Sequence, residues 1–317
     1  MVKTAIGIIL TAVLAFLSWL GYSYNQALNQ PATNHNFVIE IEKGDSFEKI
    51  TKKLFAQQLA IDPLWFKAIA YQKRIINKLK AGEYELTAGL TSPQILAMFA
   101  EGKSKKYAIT FPEGWNLKEI LQELEKNPNL KQSVPKLASA EIAAQLGMSE
   151  KNPEGWFFPD TYHFEKNTTD LSILKRAHEK MQAVLEKEWQ SKDTILPYKN
   201  PYEALIMASI VEKETGAKSE RAMIAGVFVR RLEKSMLLQT DPTVIYGMGD
   251  KYKGNIRAND LTTPTPYNTY VISGLPPTPI AMPGLDAIHA ALHPDKHDKL
   301  YFVAKGDGSH QFSATLN

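Results

Sequence analysis

The stretch "NPYEALIMASIVEKETG", residues 200–216, decides the fold of the larger part of the chain. Asn200 is a good helix N-cap, Pro201 suits the first helical position, and Glu203 falls at N3. These signals predict a helix from Pro201 to about Thr215, with a glycine just past its end. Because its residues are apolar nearly all round, this helix should be largely buried.

Two carboxylates, Glu212 and Glu214, stand at the end of this predicted helix. Helical spacing places Glu214 on the same side as Ile210 and turns Glu212 elsewhere. A helix C-terminus carries partial negative charge and an apolar setting penalises ionisation, so both effects raise the pKa of a carboxyl there. Glu214 is therefore a candidate general acid. The ordinary interpretation is an exposed glutamate paired with Lys213 or Lys218.

The segments that follow bring polar and aromatic groups toward this acid. Residues 219–236 predict an amphipathic helix, and residues 237–254, "LLQTDPTVIYGMGDKYKG", predict a loop. Residues 263–284 are rich in proline, tyrosine and glycine. Rigid loops that carry Tyr and Asn suit a sugar-binding cleft, where rings stack on aromatics and hydroxyls meet amides and carboxylates.

Length and composition limit the class of protein. A chain of 317 residues favours two folded units, and 44% apolar with 22% charged residues is a globular composition. The net charge is only +3 and no basic run with interleaved aromatics is present, so no nucleic-acid partner is expected. The absence of cysteine excludes disulfides, thiolate metal sites and a cysteine nucleophile.

The N-terminus is apolar. Residues 4–24, "TAIGIILTAVLAFLSWLGYSY", carry no charge and are long enough to cross about 30 Å of hydrocarbon as a helix. Trp19, Tyr22 and Tyr24 gather at the far end, where an aromatic belt would lie. A cleaved signal peptide would have a shorter apolar region and an A-x-A-like site. The sequence favours a single transmembrane helix within residues 1–24, with a short cytoplasmic end and the bulk of the chain outside the cytoplasm.

The rest of the chain divides into three parts. Residues 25–36 are polar and predict a linker. Residues 37–106 predict strand, helix, helix and strand, a small α+β module in which Asp45 caps a helix with Glu48 at N3. Its "KGDSFEKI" turn resembles the start of a LysM domain, a glycan-binding module, and a packing module without a ligand is the alternative. Residues 107–317 predict a larger mixed α+β domain.

Other catalytic and metal patterns are weak. His289 and His293 stand four residues apart, the spacing of a two-histidine metal face, but no third ligand is apparent in the sequence. A lone G-x-G lacks the strand and helix of a nucleotide site, and no G-x-S-x-G motif is present. We therefore expect neither a metal nor a cofactor.

Several motifs together resemble one known family. "ASIVEKET", "LQTDPTVIYG", "YNTY", "GLPPTPIAMPG" and "LYFVAKGDGSHQFS" occur in this order behind the apolar span and the LysM-like module. This arrangement is similar to the endolytic murein transglycosylases, the MltG or YceG-like family of bacterial inner-membrane enzymes. The resemblance implies that residues 107–317 form a catalytic domain with lysozyme-like features and that the bulk of the chain lies in the periplasm. One departure is that this sequence stops at Asn317, soon after the last predicted strand, where family members commonly continue with a further helix.

The resemblance also implies an activity and a site. The activity is cleavage of the β-1,4 bond between N-acetylmuramic acid and N-acetylglucosamine inside a peptidoglycan strand, without a cofactor. Glu214 would be the catalytic acid, with Glu212 and Thr215 in supporting roles. Penicillin-binding proteins or other wall synthases are candidate partners. The residues expected to orient the sugars are Gln239, Asp241, Tyr246, Tyr267, Asn268 and Tyr270.

Three alternatives stay open. Asp241 can instead cap a helix or turn that begins at Pro242. The same acid with a water nucleophile would make the chain a lysozyme-type hydrolase. A catalytically silent scaffold that binds peptidoglycan and recruits wall synthases would use only the LysM-like module.

Overall fold

The computed structural model describes residues 2–134 and 137–316 of a mixed α+β protein. The chain forms two compact units. One unit contains the residues up to Tyr107 together with Phe164–Lys166, and the other contains Ala108–His163 and the residues from Asn167 onward. The domain bounds expected from the sequence stay a prediction, since this division does not say which part is catalytic.

The first unit begins with the apolar helix α1 (Val2–Asn29). Within the described residues, α1 is the one helix long and apolar enough to cross a membrane. It continues past residue 24, so the first part of the expected linker is helical. The helix is extended because its end has a partner: the Tyr24 and Trp65 rings lie 5.4 Å apart, and Leu28 packs against the core of the unit.

The remainder of the first unit has the predicted order of strand, helix, helix and strand. Strands β1 and β2 pair antiparallel, with Ile39 opposite Tyr84. Tyr84 is fully buried, and its hydroxyl donates to the Lys80 carbonyl oxygen at 2.8 Å, which satisfies the one polar atom of a large apolar side chain. The elements are β1 (Phe37–Ile41), α2 (Phe47–Ala56), α3 (Pro63–Gln72), β2 (Gly82–Leu86) and α4 (Ser92–Glu101).

The cap of α2 differs from the prediction. Ser46 is the N-cap residue, and its side chain accepts a hydrogen bond from the Lys49 backbone N–H at 3.2 Å. The prediction that Asp45 caps this helix was therefore wrong. Asp45 instead pairs with the Lys49 and Lys53 ammonium groups, both at 2.7 Å. These two partners hold the pKa of the Asp45 carboxyl far below its usual range.

The second unit is mainly helical, with short strands. Strands β3 and β5 pair with each other, and each has residues in both units; the other strand pairs are β4 with β6 and β7 with β8. The elements in chain order are β3 (Lys106–Thr110), α5 (Leu117–Lys126), β4 (Leu130–Lys131), α6 (Ser139–Gln145), β5 (Thr161–Glu165), β6 (Thr168–Thr169), α7 (Asp170–Ser191), α8 (Pro201–Glu214), α9 (Arg221–Glu233), α10 (Asp241–Met248), α11 (Ala258–Thr262), α12 (Leu285–Leu292), β7 (Tyr301–Ala304) and β8 (His310–Ser313).

Helix α8 is the centre of this unit, and its predicted bounds are confirmed to within a residue. Asn200 caps it by accepting from the Glu203 N–H at 3.0 Å. Every residue from Ala204 to Val211 is buried, and the helix packs against α7, α9, α10 and α12. An all-round apolar surface is what such a central position requires.

Residues 237–254 do not form the expected loop throughout. They contain α10, because Pro242 lies in its first turn, where a proline costs no hydrogen bond. The sequence left open whether a helix or a turn begins at Pro242, and the structure shows a helix. The proline-rich stretch from 263 to 284 is irregular, as predicted.

Ser209 ties this proline-rich stretch to α8. Its fully buried hydroxyl donates to the Ile206 carbonyl oxygen at 2.7 Å and accepts from the Ile280 N–H at 3.0 Å. We predict that Ser209→Ala lowers the free energy of unfolding by about 1–3 kcal/mol, because the Ile280 N–H is left buried without an acceptor. Calorimetry of the full chain in detergent measures this, with the exposed Ser219→Ala as control. Equal stability of the two variants would contradict the assignment.

Candidate active site

Glu214 is the last helical residue of α8 and is half-buried. The Thr240 hydroxyl donates a hydrogen bond to its Oε1 atom. Burial raises the pKa of the Glu214 carboxyl, and the negative charge of Asp241 raises it further, against the opposing effects of Thr240, His310 and Arg231. The direction of the pKa shift agrees with the sequence prediction.

The ordinary alternative for Glu214, a pair with a neighbouring lysine, is not observed. Lys213 donates to the Gly114 carbonyl oxygen at 3.1 Å, and Lys218 pairs with Asp286 at 2.7 Å. With both lysines engaged elsewhere, the hydrogen-bond partner of Glu214 is a neutral hydroxyl. A neutral partner stabilises a protonated carboxyl better than an ammonium group does.

A buried threonine network fixes the hydroxyl that contacts Glu214. The Thr240 N–H donates to Thr269 Oγ1 at 3.1 Å, and the Thr243 and Thr269 hydroxyls lie 2.8 Å apart. All three threonines are buried. Buried hydroxyls that satisfy one another hold a fixed arrangement, so the Glu214 partner is preorganised.

Glu212 supports the structure around the acid. Its Oε1 atom pairs with Arg221 at 3.0 Å, and its Oε2 atom accepts from the Gly284 N–H at 2.9 Å. The Glu212 and Arg221 side chains are only 6% and 5% exposed. Thr215 is also buried, and its hydroxyl accepts from the Ala217 N–H at 3.0 Å, which shapes the turn after α8. These contacts are consistent with the supporting roles expected for both residues.

Gln239, Asp241 and Tyr270 lie beside the Glu214 helix end. Gln239 is exposed and has a φ of +51°, a left-handed conformation that is held by its N–H bond to the Thr269 carbonyl oxygen at 3.1 Å. Asp241 is exposed and accepts from the Tyr270 hydroxyl at 2.6 Å. Thr240, and not Asp241, occupies the N-cap position of α10, so the alternative cap role of Asp241 was wrong.

Tyr246 and Tyr267 form an aromatic wall in the second unit. Their ring centroids lie 4.8 Å apart, and the Tyr267 hydroxyl lies 2.9 Å from the Thr278 hydroxyl. They line a cavity of about 540 Å³, a size suited to a sugar-sized ligand. Other lining residues include Lys213 and Pro242, the neighbours of Glu214 and Asp241 in sequence.

Asn268 was expected to orient the sugars, but its side chain is buried away from solvent. It is fully buried, and its amide N–H groups point to the carbonyl oxygens of residues 260, 261 and 263, at 2.8 to 3.1 Å. Its side-chain oxygen accepts from the Tyr270 N–H at 2.9 Å. The Asn268 side chain therefore fastens the proline-rich stretch and sets the position of Tyr270.

A second acid, Glu154, was not identified from the sequence. It lines the same cavity, is only 3% exposed, and accepts from the Tyr246 hydroxyl and from the Leu117 N–H, both at 3.0 Å. Burial raises the pKa of the Glu154 carboxyl to about 7, against these hydrogen bonds. Its segment, "PEGWFFPDTYHF", is dense in aromatic and turn-forming residues, a pattern typical of a loop that either plugs a core or lines a groove. The single available signal was a glutamate within that aromatic run.

An acid with a raised pKa at a buried helix end, close to an aromatic-walled cavity, is an arrangement suited to general acid chemistry on a polar ligand that has flat apolar faces. Comparisons with known proteins agree with this class. Residues 39–317 match the YceG-like family. A protein of Bacillus subtilis strain 168 named endolytic murein transglycosylase is 37% identical over 257 residues, which cover 75% of this chain and 70% of that protein. The chain belongs to the YceG-like family.

Further relatives extend the similarity. Two proteins of Streptococcus pneumoniae, strains D39 and R6, carry the same name, are 29% identical and match 94% of this chain. The match spans 60% of the length of each streptococcal protein. The crystal structure of a YceG-like protein from Listeria monocytogenes superposes with a TM-score of 0.56 at 29% identity, covering 89% of this chain and 97% of that one.

We predict that the Glu154 carboxyl makes stability depend on pH. Its pKa is about 7 in the folded chain and 4.5 when unfolded, so the folded state binds more protons between these values and stability falls as pH rises through this window. The loss reaches about 3 kcal/mol above pH 7. Glu154→Gln removes it, so the melting temperature of the variant minus that of the wild type should increase between pH 4.5 and 7.5. A difference independent of pH would contradict the raised pKa.

Proposed function

We propose that this chain is an endolytic murein transglycosylase that cleaves the β-1,4 bond between N-acetylmuramic acid and N-acetylglucosamine within peptidoglycan strands. The observation that carries the proposal is Glu214, whose pKa is raised at a buried helix end and whose partner is a fixed hydroxyl. The names of the relatives from Bacillus and Streptococcus support the substrate and the reaction.

In this mechanism one acid performs two proton transfers. Protonated Glu214 gives its proton to the glycosidic oxygen as the bond to C1 breaks, which releases the N-acetylglucosamine end. The resulting Glu214 carboxylate takes the proton from the C6 hydroxyl of N-acetylmuramic acid, whose oxygen bonds to C1 and closes a 1,6-anhydro ring. Water is not consumed, so a second carboxylate to activate it is not required. The substrate N-acetyl group can assist at C1, which replaces a protein nucleophile.

The cavity supplies the binding energy in this proposal. The Tyr246 and Tyr267 rings would stack on sugar faces, and the exposed Gln239 and Asp241 side chains would bind hydroxyl groups. Tyr270 and Asn268 would act through the groups they hold, since Tyr270 donates to Asp241 and Asn268 is buried. Glu154 would position Tyr246 by accepting from its hydroxyl.

The proposal places the chain at the bacterial inner membrane with one spanning helix. Most apolar side chains in the first half of α1 are about half exposed or more, which an aqueous setting would not favour. The bulk of the chain would then lie in the periplasm, where nascent strands and wall synthases are found. The β1–β2 module, with its strand, helix, helix and strand order, would bind glycan as a LysM-like unit, and the second unit would act as a catalytic domain with lysozyme-like features.

The first test is digestion of uncrosslinked glycan strands by the full chain in detergent, followed by mass spectrometry of the ends. We predict internal fragments with anhydromuramyl ends, lost at least about a thousandfold in Glu214→Gln because no proton donor remains. Glu203→Gln is the control, because Glu203 lies at the opposite end of the same helix and glutamine keeps an acceptor for the Lys199 N–H. Reducing ends would identify a hydrolase, and binding without cleavage would favour the scaffold alternative.

A second prediction concerns the pH profile. The Asp241 charge raises the pKa of Glu214, so Asp241→Asn lowers that pKa. Because the acid must be protonated, the basic limb of kcat/KM against pH should move to lower pH in this variant. Asparagine still accepts from the Tyr270 hydroxyl, so the geometry is kept. Asp298→Asn, at an exposed pair with Lys299, is the control, and an unmoved limb in Asp241→Asn would refute the coupling.

A further inference from the structure

A cluster of metal-ligating side chains lies apart from the groups assigned to catalysis. His289 is in the last turn of α12, and His293 is the residue that ends the helix. Their rings face one another, with centroids 4.3 Å apart and planes 32° apart. Histidines four residues apart on a helix present their nitrogens on one side, which is the spacing used by helical zinc sites.

The structure supplies the third ligand that the sequence did not show. Glu188, on α7, places its Oε2 atom 2.7 Å from His289 Nδ1. One ligand atom from each of Glu188, His289 and His293 lies within 4.8 Å of the others. Two imidazoles and one carboxylate match the donor set of many open zinc sites.

His293 gives an independent reason to expect a bound ion. Its Nε2 atom is buried and has no hydrogen-bond partner among the described residues. Its Nδ1 atom lies 3.6 Å from Asp193 Oδ1, and the Asp193 N–H donates to the Leu292 carbonyl oxygen at 3.0 Å. A buried nitrogen without a partner costs free energy, and a metal ion would satisfy it. Asp193 is placed to orient the imidazole from the other side, although it also pairs with Lys296 at 3.5 Å.

We propose that Glu188, His289 and His293 bind one divalent transition-metal ion of the Zn²⁺ class, which clamps α12 to α7. Both ligand-bearing helices pack against each other and against α8. His289 is 60% exposed, so water completes the coordination and the ion exchanges with solvent. At its opposite end α12 begins beside Gly284, whose N–H holds Glu212. The clamp therefore stabilises the helix that supports the acid-bearing end of α8, and the ion takes no part in the proton transfers.

The test uses the full chain in detergent, purified without a histidine tag and treated with EDTA. Isothermal titration with Zn²⁺ should give one site per chain. Bound Co²⁺ should give the visible absorption bands that are typical of a Co²⁺ ion with a low coordination number. We predict that His289→Ala and His293→Ala each weaken Zn²⁺ binding at least about tenfold, because each removes one of three protein ligands. Glu188→Gln should also weaken it. His163→Ala, at an exposed histidine on β5, is the control and should bind as the wild type does.

Each outcome decides the proposal. At one fixed Zn²⁺ concentration, Zn²⁺ should raise the melting temperature of the wild type and of His163→Ala more than that of the two ligand variants. Absence of saturable binding, or binding that both ligand variants retain, would overturn the site and leave the cluster as a Glu188–His289 hydrogen bond. Because these measurements do not involve glycan cleavage, their result is independent of the proposed transglycosylase activity.

Discussion

Carboxylates at the C-terminal end of a buried apolar helix are the constraint on which the second unit depends. Both the helix dipole and desolvation oppose their ionisation, so each needs a dedicated partner. Glu212 receives an arginine and a backbone N–H, and this arrangement ties the ends of α8, α9 and α12 together. Among the residues that the structure describes, the hydrogen-bond partner of the Glu214 carboxyl is the Thr240 hydroxyl. Two acids of one helix turn thereby have different surroundings: Glu212 is held in an ion pair, and Glu214 is the acid to which we assign the proton transfers.

The irregular segments of the second unit are held in place by the need of buried polar groups for hydrogen-bond partners. Thr240 and Thr243 at the start of α10, and Thr269 in the proline-rich stretch, bond to one another in the buried layer behind Glu214. Ser209 and Asn268 fasten that stretch at two further points. Short polar side chains thus hold in place the segments that carry the Tyr246 and Tyr267 rings, because irregular backbone can be buried only where its N–H and carbonyl groups find partners.

Local sequence signals predicted the helix that carries Glu214, but they did not predict the contacts of the candidate sites that depend on distant residues. The cap at Asn200, Pro201 and the apolar run fix α8 to within a residue, so the helix was predictable, as were the place of Glu214 in its last turn and the direction of its pKa shift. Helix α10 was left as one of two alternatives within a predicted loop, because an Asp-Pro pair begins turns and helices alike. Glu154 and Glu188 could not be found, since their partners Tyr246 and His289 are 92 and 101 residues away in the sequence. Their significance arises only from long-range packing.

The unbroken course of α1 limits how far the first unit can stand from a lipid bilayer. A helix of 28 residues is about 42 Å long, and a hydrocarbon core takes about 30 Å of it. The remaining two turns or so are held by Tyr24 against Trp65, and in the short segment after the helix the buried Ala32 donates its N–H to the Leu90 carbonyl oxygen at 2.7 Å. With α1 in a membrane, the β1–β2 module would lie at the level of the headgroups. Its orientation toward the lipid would be set by a rigid stalk, which would restrict its search for ligands to a thin layer above the surface.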